Sequence, residues 1–195
     1  DGKYYIVVSI GNCKDTDIVI PETHKELPIK TIGKKAFIDC KSITSVTIPE
    51  SVTYVDYYAF GYCFSLETLT ISKNTTLNDT ALSGCTALKT LNLGKIQQFF
   101  PYSSLKSLET VNILEGANGD LSTSSLDGCT SLKTVNVYEP KMIISGVFAF
   151  ENCNSLESIN VTENSVKYSS VDGVLYSKDG TELITYPRGK KDVSF

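Results

Sequence analysis

The sequence predicts a repeat solenoid of the α/β type that is mainly β: a right-handed stack of about six coils, with one parallel sheet and a β-hairpin cap at each end. Three observations predict it. The spacing A-F-x-x-C-x-x-L-x-x-V-x-I returns along the chain, most plainly in Ala59-Phe60-Gly61-Tyr62-Cys63-Phe64-Ser65-Leu66-Glu67-Thr68-Leu69-Thr70-Ile71. The column anchored on cysteine runs Cys40, Cys63, Cys85, Leu105, Cys129 and Cys153, at intervals of 23, 22, 20, 24 and 24 residues. The aliphatic columns that follow it contain no polar residue.

Each column assigns a place in the coil. Three residues after the cysteine position stand Ile43, Leu66, Leu88, Leu108, Leu132 and Leu156; six after it Val46, Leu69, Leu91, Val111, Val135 and Ile159; eight after it Ile48, Ile71, Leu93, Ile113, Val137 and Val161. Aliphatic residues alternate there with Ser, Thr and Asn, which predicts one short strand per coil with one face inward. A period in the low twenties containing L-x-x-L-x-L is the leucine-rich-repeat signature. The outward columns agree with this register. Glu67, Lys89, Glu109, Lys133 and Glu157 alternate in sign, so each carboxylate stands between ammonium groups on neighbouring strands.

The hydroxyl and amide columns form a candidate polar sheet face: Thr68, Thr70, Thr90, Asn92, Thr110, Asn112, Thr134, Asn136 and Asn160.

The ends differ from the repeats. Tyr4 to Ile10, the turn signal Gly11-Asn12 and Ile18-Val19-Ile20-Pro21 read as a β-hairpin, so residues 1–26 form an N-terminal cap. The solenoid occupies 27–165. Residues 166–195 form a C-terminal hairpin cap, with strands over Tyr168–Ser177 and Thr181–Pro187 joined by a turn at Lys178-Asp179-Gly180. The three parts make one continuous domain. Within the repeats, Glu115 to Asp120 reads as a flexible loop.

Two stretches carry a family resemblance. Ile32-Gly33-Lys34-Lys35-Ala36-Phe37-x-x-Cys40-x-Ser42-Ile43-x-x-Val46-x-Ile48-Pro49-x-Ser51-Val52 resembles the repeat of the BspA-like leucine-rich-repeat surface proteins, and Asp172-Gly173-Val174-Leu175-Tyr176-Ser177-Lys178-Asp179-Gly180-Thr181 resembles their closing hairpin. Units three to five depart from the pattern, with Ala81-Leu82, Pro101-Tyr102 and Ser125-Leu126 in place of Ala-Phe. The resemblance implies a bacterial protein, secreted or attached to the cell surface, that adheres to host proteins, matrix or other cells. The signal and anchor of such a protein lie outside this chain.

Composition narrows the function classes. A formal net charge of −4 with only paired lysines argues against a nucleic-acid footprint. No apolar run approaches the roughly 20 residues of a membrane-spanning helix. The cysteines show no C-x-x-C spacing, and His24 stands without a catalytic or metal-ligating neighbour in sequence. The thiols read as a buried, reduced column, with Cys13 the exception outside the repeat. No catalytic, cofactor-binding or metal residues are assigned, and the chain is not read as an enzyme.

Comparison of columns locates the candidate interaction surface. Tyr57 and Tyr58 stand where unit one has Lys34 and Lys35; Tyr62 stands where its siblings have Asp39, Gly84 and Asn152; Phe64 stands where they have Lys41, Thr86 and Asn154. Unit two therefore presents four aromatic residues at positions that face water in the other units. Phe99 and Phe100 fall in the first two of these columns in unit four and extend the surface. The expected function is a non-catalytic extracellular interaction or adhesion module whose partner is a protein or cell-surface ligand, with a glycan as a further candidate for the polar face. The rival is a structural spacer positioning another domain of a larger surface protein.

Overall fold

A computed structural model describes residues 2–11, 14–97, 102–121, 126–145 and 149–191. Phe99, Phe100 and Cys13 lie outside them.

The main sheet has seven parallel strands. In spatial order they are β12 (Ser158–Val161), β11 (Thr134–Val137), β10 (Thr110–Asn118), β9 (Thr90–Lys95), β7 (Thr68–Ile71), β5 (Ser45–Ile48) and β2 (Asp17–Val19). Their register is the one the columns require. Val46 pairs with Leu69, Leu69 with Leu91, Leu91 with Val111, Val111 with Val135 and Val135 with Ile159. All six side chains are buried in a single core running the length of the stack. A one-residue slip would turn that row to water, so the hydrophobic column fixes the pairing.

A second parallel ladder closes the early coils. It joins β1 (Tyr5–Val7), β4 (Leu27–Ile32), β6 (Tyr54–Val55) and β8 (Thr76–Leu77). β4, β6 and β8 precede the corners at Ala36-Phe37, Ala59-Phe60 and Ala81-Leu82, and Ile32, Val55 and Leu77 turn inward from them.

The ends correct the expected hairpins. β1 and β2 do not pair with each other: β1 runs parallel to β4, and β2 parallel to β5 through Asp17 to Ser45 and Ile18 to Val46. The segment before residue 27 thus adds a coil to the stack. Ile18 continues the strand column, and the Thr16 carbonyl accepts from Thr44 and Ser45 as the Thr44 carbonyl accepts from Glu67 and Thr68. A strand that can extend both a hydrophobic column and a hydrogen-bond ladder buries more by stacking than by folding back on its neighbour. A true hairpin does form between β3 (Thr23–His24) and β4, turning through Lys25 and Glu26, both with positive φ. This geometry suits a two-residue turn between twisted strands.

At the other end the cap has three strands rather than two: β13 (Tyr168–Val171), β14 (Val174–Ser177) and β15 (Leu183–Thr185). Asp172 and Gly173 have φ of 50° and 77° and turn the chain inside the stretch expected to be one strand. Residues 115–118 also differ from expectation, since β10 runs on through them and Asn118 pairs with Lys95.

Candidate functional site

The corner of each coil is a backbone device. The residue just before the cysteine position takes a left-handed conformation in Asp39, Tyr62, Gly84, Gly128 and Asn152, with φ between 57° and 80°. Asp, Asn and Gly tolerate that region; a large side chain pays steric strain there. Tyr62, at φ 60°, is the exception, and Tyr58 is likewise left-handed at φ 53°.

The following residue closes the corner with its thiol. Cys63 donates to the Phe37 carbonyl at 3.0 Å, Cys85 to Phe60 at 3.1 Å and Cys153 to Leu126 at 3.0 Å. Each bond ties a coil to the one before it. Burial pushes the thiols of Cys63, Cys85 and Cys129 up to about 12 and that of Cys153 to about 11. They stay protonated near neutrality and are poor nucleophiles. No group of three or more His, Cys, Asp or Glu side chains arranged to hold a metal occurs among the described residues.

The four aromatic side chains of unit two form a continuous row. Ring centroids lie 4.5 Å apart from Tyr57 to Tyr58, 5.8 Å from Tyr58 to Tyr62 and 6.0 Å from Tyr62 to Phe64. Tyr57, Tyr62 and Phe64 are 41%, 43% and 47% exposed, whereas Tyr58 is half-buried. The Lys34 ammonium sits 5.3 Å from the centre of the Tyr57 ring, a cation–π distance.

Two glycines make room for the row. A Cβ at Gly61 would stand 2.6 Å from Cδ1 of Tyr58, and one at Gly84 would stand 2.7 Å from Cδ1 of Tyr62. The rings therefore lie against bare backbone and are fixed before any partner arrives. Column comparison finds the tyrosines but not these seats. Their only sequence signal is that glycine falls within and one coil beyond the aromatic stretch.

The polar sheet face is occupied by its own hydrogen bonds. Asn92 donates to the Thr70 hydroxyl at 2.9 Å, Asn112 to Asn92 at 2.7 Å, Asn136 to Asn112 at 2.8 Å and Asn160 to Asn136 at 2.8 Å. Thr68, Thr90, Thr110 and Thr134 lie half-buried in the neighbouring column. The charged column pairs as well, Lys89 with Glu67 at 3.2 Å and Lys133 with Glu109 at 2.8 Å. The hydrogen bond from Lys133 holds the Glu109 carboxyl below its usual range and raises the Lys133 ammonium.

His24 is exposed and meets the Tyr5 ring edge-on at 4.9 Å. It ends strand β3 of the β3–β4 hairpin and lies far along the chain from the aromatic row.

A stack of coils laying one strand each into a shared parallel sheet, closed by short irregular corners, defines a leucine-rich-repeat solenoid. The pattern of the BspA type leucine rich repeat region matches in six copies, over residues 10–119 and 97–178. The chain belongs to that family. Among solved structures it is similar to a leucine rich cell surface protein from Faecalibacterium prausnitzii, with 24% identity, 92% of this chain and 56% of that one covered, and a TM-score of 0.41. It is similar also to a leucine rich repeat protein of T. pallidum (22% identity, 75% and 70% covered, TM-score 0.48). A third similar structure is the pneumococcal vaccine antigen PcpA (20% identity, 96% and 50% covered, TM-score 0.44). The chain spans about half the length of the first and third of these. A comparison with curated proteins finds no match.

Proposed function

We propose that the chain is a non-catalytic interaction module that binds a protein partner through the ledge of Tyr57, Tyr58, Tyr62 and Phe64. One observation carries the reading: a bulky aromatic residue, Tyr62, occupies a left-handed position that the sibling coils fill with Asp, Gly or Asn. Among the left-handed residues just before the cysteine column, Tyr62 alone carries a bulky side chain, and strain kept at that corner argues for a role outside folding. Ordered, half-exposed rings are the usual source of binding energy at protein interfaces. The polar sheet face is the weaker candidate, because its amides already satisfy one another.

Residence outside the cell and adhesion to host proteins, matrix or cells are part of this proposal, supported by family membership. The test is saturable binding of the chain to cultured host cells and to immobilised matrix protein, repeated with Tyr58→Ser combined with Phe64→Ser. Loss of binding at an unchanged melting temperature is expected. Undiminished binding by the double variant would reject the ledge.

A further inference from the structure

The coil before the ledge carries lysines in the ledge's own columns. Lys34 and Lys35 stand where unit two has Tyr57 and Tyr58, and Lys41 stands where it has Phe64; all three lysines are exposed. Backbone bonds hold this corner against the next. The Lys35 N–H donates to the Tyr57 carbonyl at 3.1 Å, and the Asp39 N–H to the Gly61 carbonyl at 2.8 Å. Corresponding residues of the two coils are therefore neighbours, and the aromatic row has a basic border along one flank.

That border is ordered and short of counter-charges. The Lys34 ammonium rests 5.3 Å from the centre of the Tyr57 ring, a contact that holds a cation in place without neutralising it. Among the described residues neither Lys34 nor Lys35 has a carboxylate within salt-bridge reach, and Lys41 meets Asp39 only at 3.7 Å. Other carboxylates near the row are engaged or stand on its far side. Asp56 is half-buried and accepts from the Tyr57 N–H at 2.7 Å, and Glu67 pairs with Lys89 at 3.2 Å. Asp79, exposed, follows Lys34 and Tyr57 in their column one coil further on, and it is the one charged residue of the unit-three corner over 78–86. The rings thus lie between a flank where three ammonium groups face one carboxylate and a flank that carries Asp79. This basic border stands out on a chain whose net charge is −4.

We propose that the ledge takes an acidic segment of its protein partner, one in which Asp or Glu side chains adjoin apolar ones; this rests on the ledge as a binding surface and adds the chemistry of what binds there. Apolar side chains of the segment cover Tyr62 and Phe64. Its carboxylates settle over Lys34 and Lys35, away from Asp79. Charge complementarity selects this partner, because a basic segment would meet three ammonium groups and gain only Asp79. A carboxylate that reaches Lys34 joins an ammonium already held on a ring face, so less freedom is lost on binding than at a free lysine. The rings supply most of the affinity, and the lysines set the sign of the partner and speed its approach.

A phage library of random peptides, selected on the full chain, tests it. Enriched peptides should be acidic, and their affinity should fall about tenfold on combining Lys34→Glu with Lys35→Glu. Both side chains are exposed, so circular dichroism and melting temperature should not change. Affinity for the parent chain should also drop several-fold as salt rises from about 0.05 to about 0.5 M, whereas affinity for the lysine variant should hold or rise, since screening acts on the charges alone. Enrichment of neutral or basic peptides would overturn the proposal. So would peptides that lose affinity with Tyr58→Ser and Phe64→Ser yet bind the lysine variant as tightly as the parent; the ledge would then stand and its preference for acidic partners would not. Heparin that binds through Lys34 and Lys35 but displaces no selected peptide would overturn it too, by giving the lysines to a sulfated glycan. Failure of the library to enrich on the chain over the double serine variant would reject both the ledge and its chemistry.

Discussion

Replacing Asn112 by Ala removes an interior rung of the amide ladder, and the cost follows from its position. Asn112 donates to Asn92 at 2.7 Å and accepts from Asn136 at 2.8 Å, whereas Asn160, at the end, makes one bond, to Asn136 at 2.8 Å. A net hydrogen bond of this kind contributes about 0.5–1.5 kcal/mol. Asn112→Ala should therefore destabilise the chain by about 1–3 kcal/mol and Asn160→Ala by about half as much. Half-burial lets water rehydrate the orphaned groups, which favours the lower end of both ranges. The Asn112→Ala and Asn136→Ala pair shares one bond, so the double variant should fall short of additivity by about 1 kcal/mol. Urea unfolding followed by circular dichroism, with m held constant across the series, measures all of these. Equal costs for Asn112→Ala and Asn160→Ala, or strict additivity of the pair, would refute the ladder as a coupled element. The consequence reaches function, since a face whose amides bind one another has less to offer a ligand.

Four further outcomes follow from the corners and the cap. Tyr62→Asn, which installs the residue found at Asn152, should leave the melting temperature unchanged or raise it, because relief of about 1 kcal/mol of left-handed strain offsets the lost ring contact; a fall of several degrees would make the ring structural. Thiols raised to about 12 at Cys63 and Cys85 should resist a thiol reagent at neutral pH until the chain unfolds, which a rate that tracks denaturant concentration would show. Because those values lie above the thiol's ordinary 9.0, the stability they confer is complete below pH 9 and should drain away as pH rises towards 12. Asp179 accepts from the Ser177 hydroxyl and from the Thr181 amide and hydroxyl, which bring its carboxyl down to about 2 from 3.8. Its contribution to the turn is present above pH 3.8 and lost as pH falls through 2, and an NMR titration of its side chain should show that midpoint.

The fold was legible because each coil repeats the same requirement. Val46, Leu69 and Leu91 must face one core, and a parallel sheet is how a period in the low twenties satisfies that. The N-terminal coil escaped because Ile18 and Ile20 continue the strand columns without the cysteine or the Ala-Phe corner that mark the other units. The third strand of the C-terminal cap escaped because Asp172-Gly173 sits inside an otherwise unbroken extended stretch. The aromatic row was legible by contrast between columns, since Tyr62 stands where its siblings are small or polar. The glycine seats were not, because only the backbone path brings Gly61 against Tyr58 and Gly84 against Tyr62.

The measurement that bears most directly on the central claim is an exchange of one corner for another. Tyr57→Lys, Tyr58→Lys, Tyr62→Asp and Phe64→Lys give unit two the residues that unit one carries at the same positions, Lys34, Lys35, Asp39 and Lys41. If the repeat makes the fold and the exceptions make the function, the exchanged chain keeps its β-sheet circular dichroism and cooperative unfolding and loses binding to cells and matrix. A chain that unfolds on exchange, or that binds as before, would contradict the account.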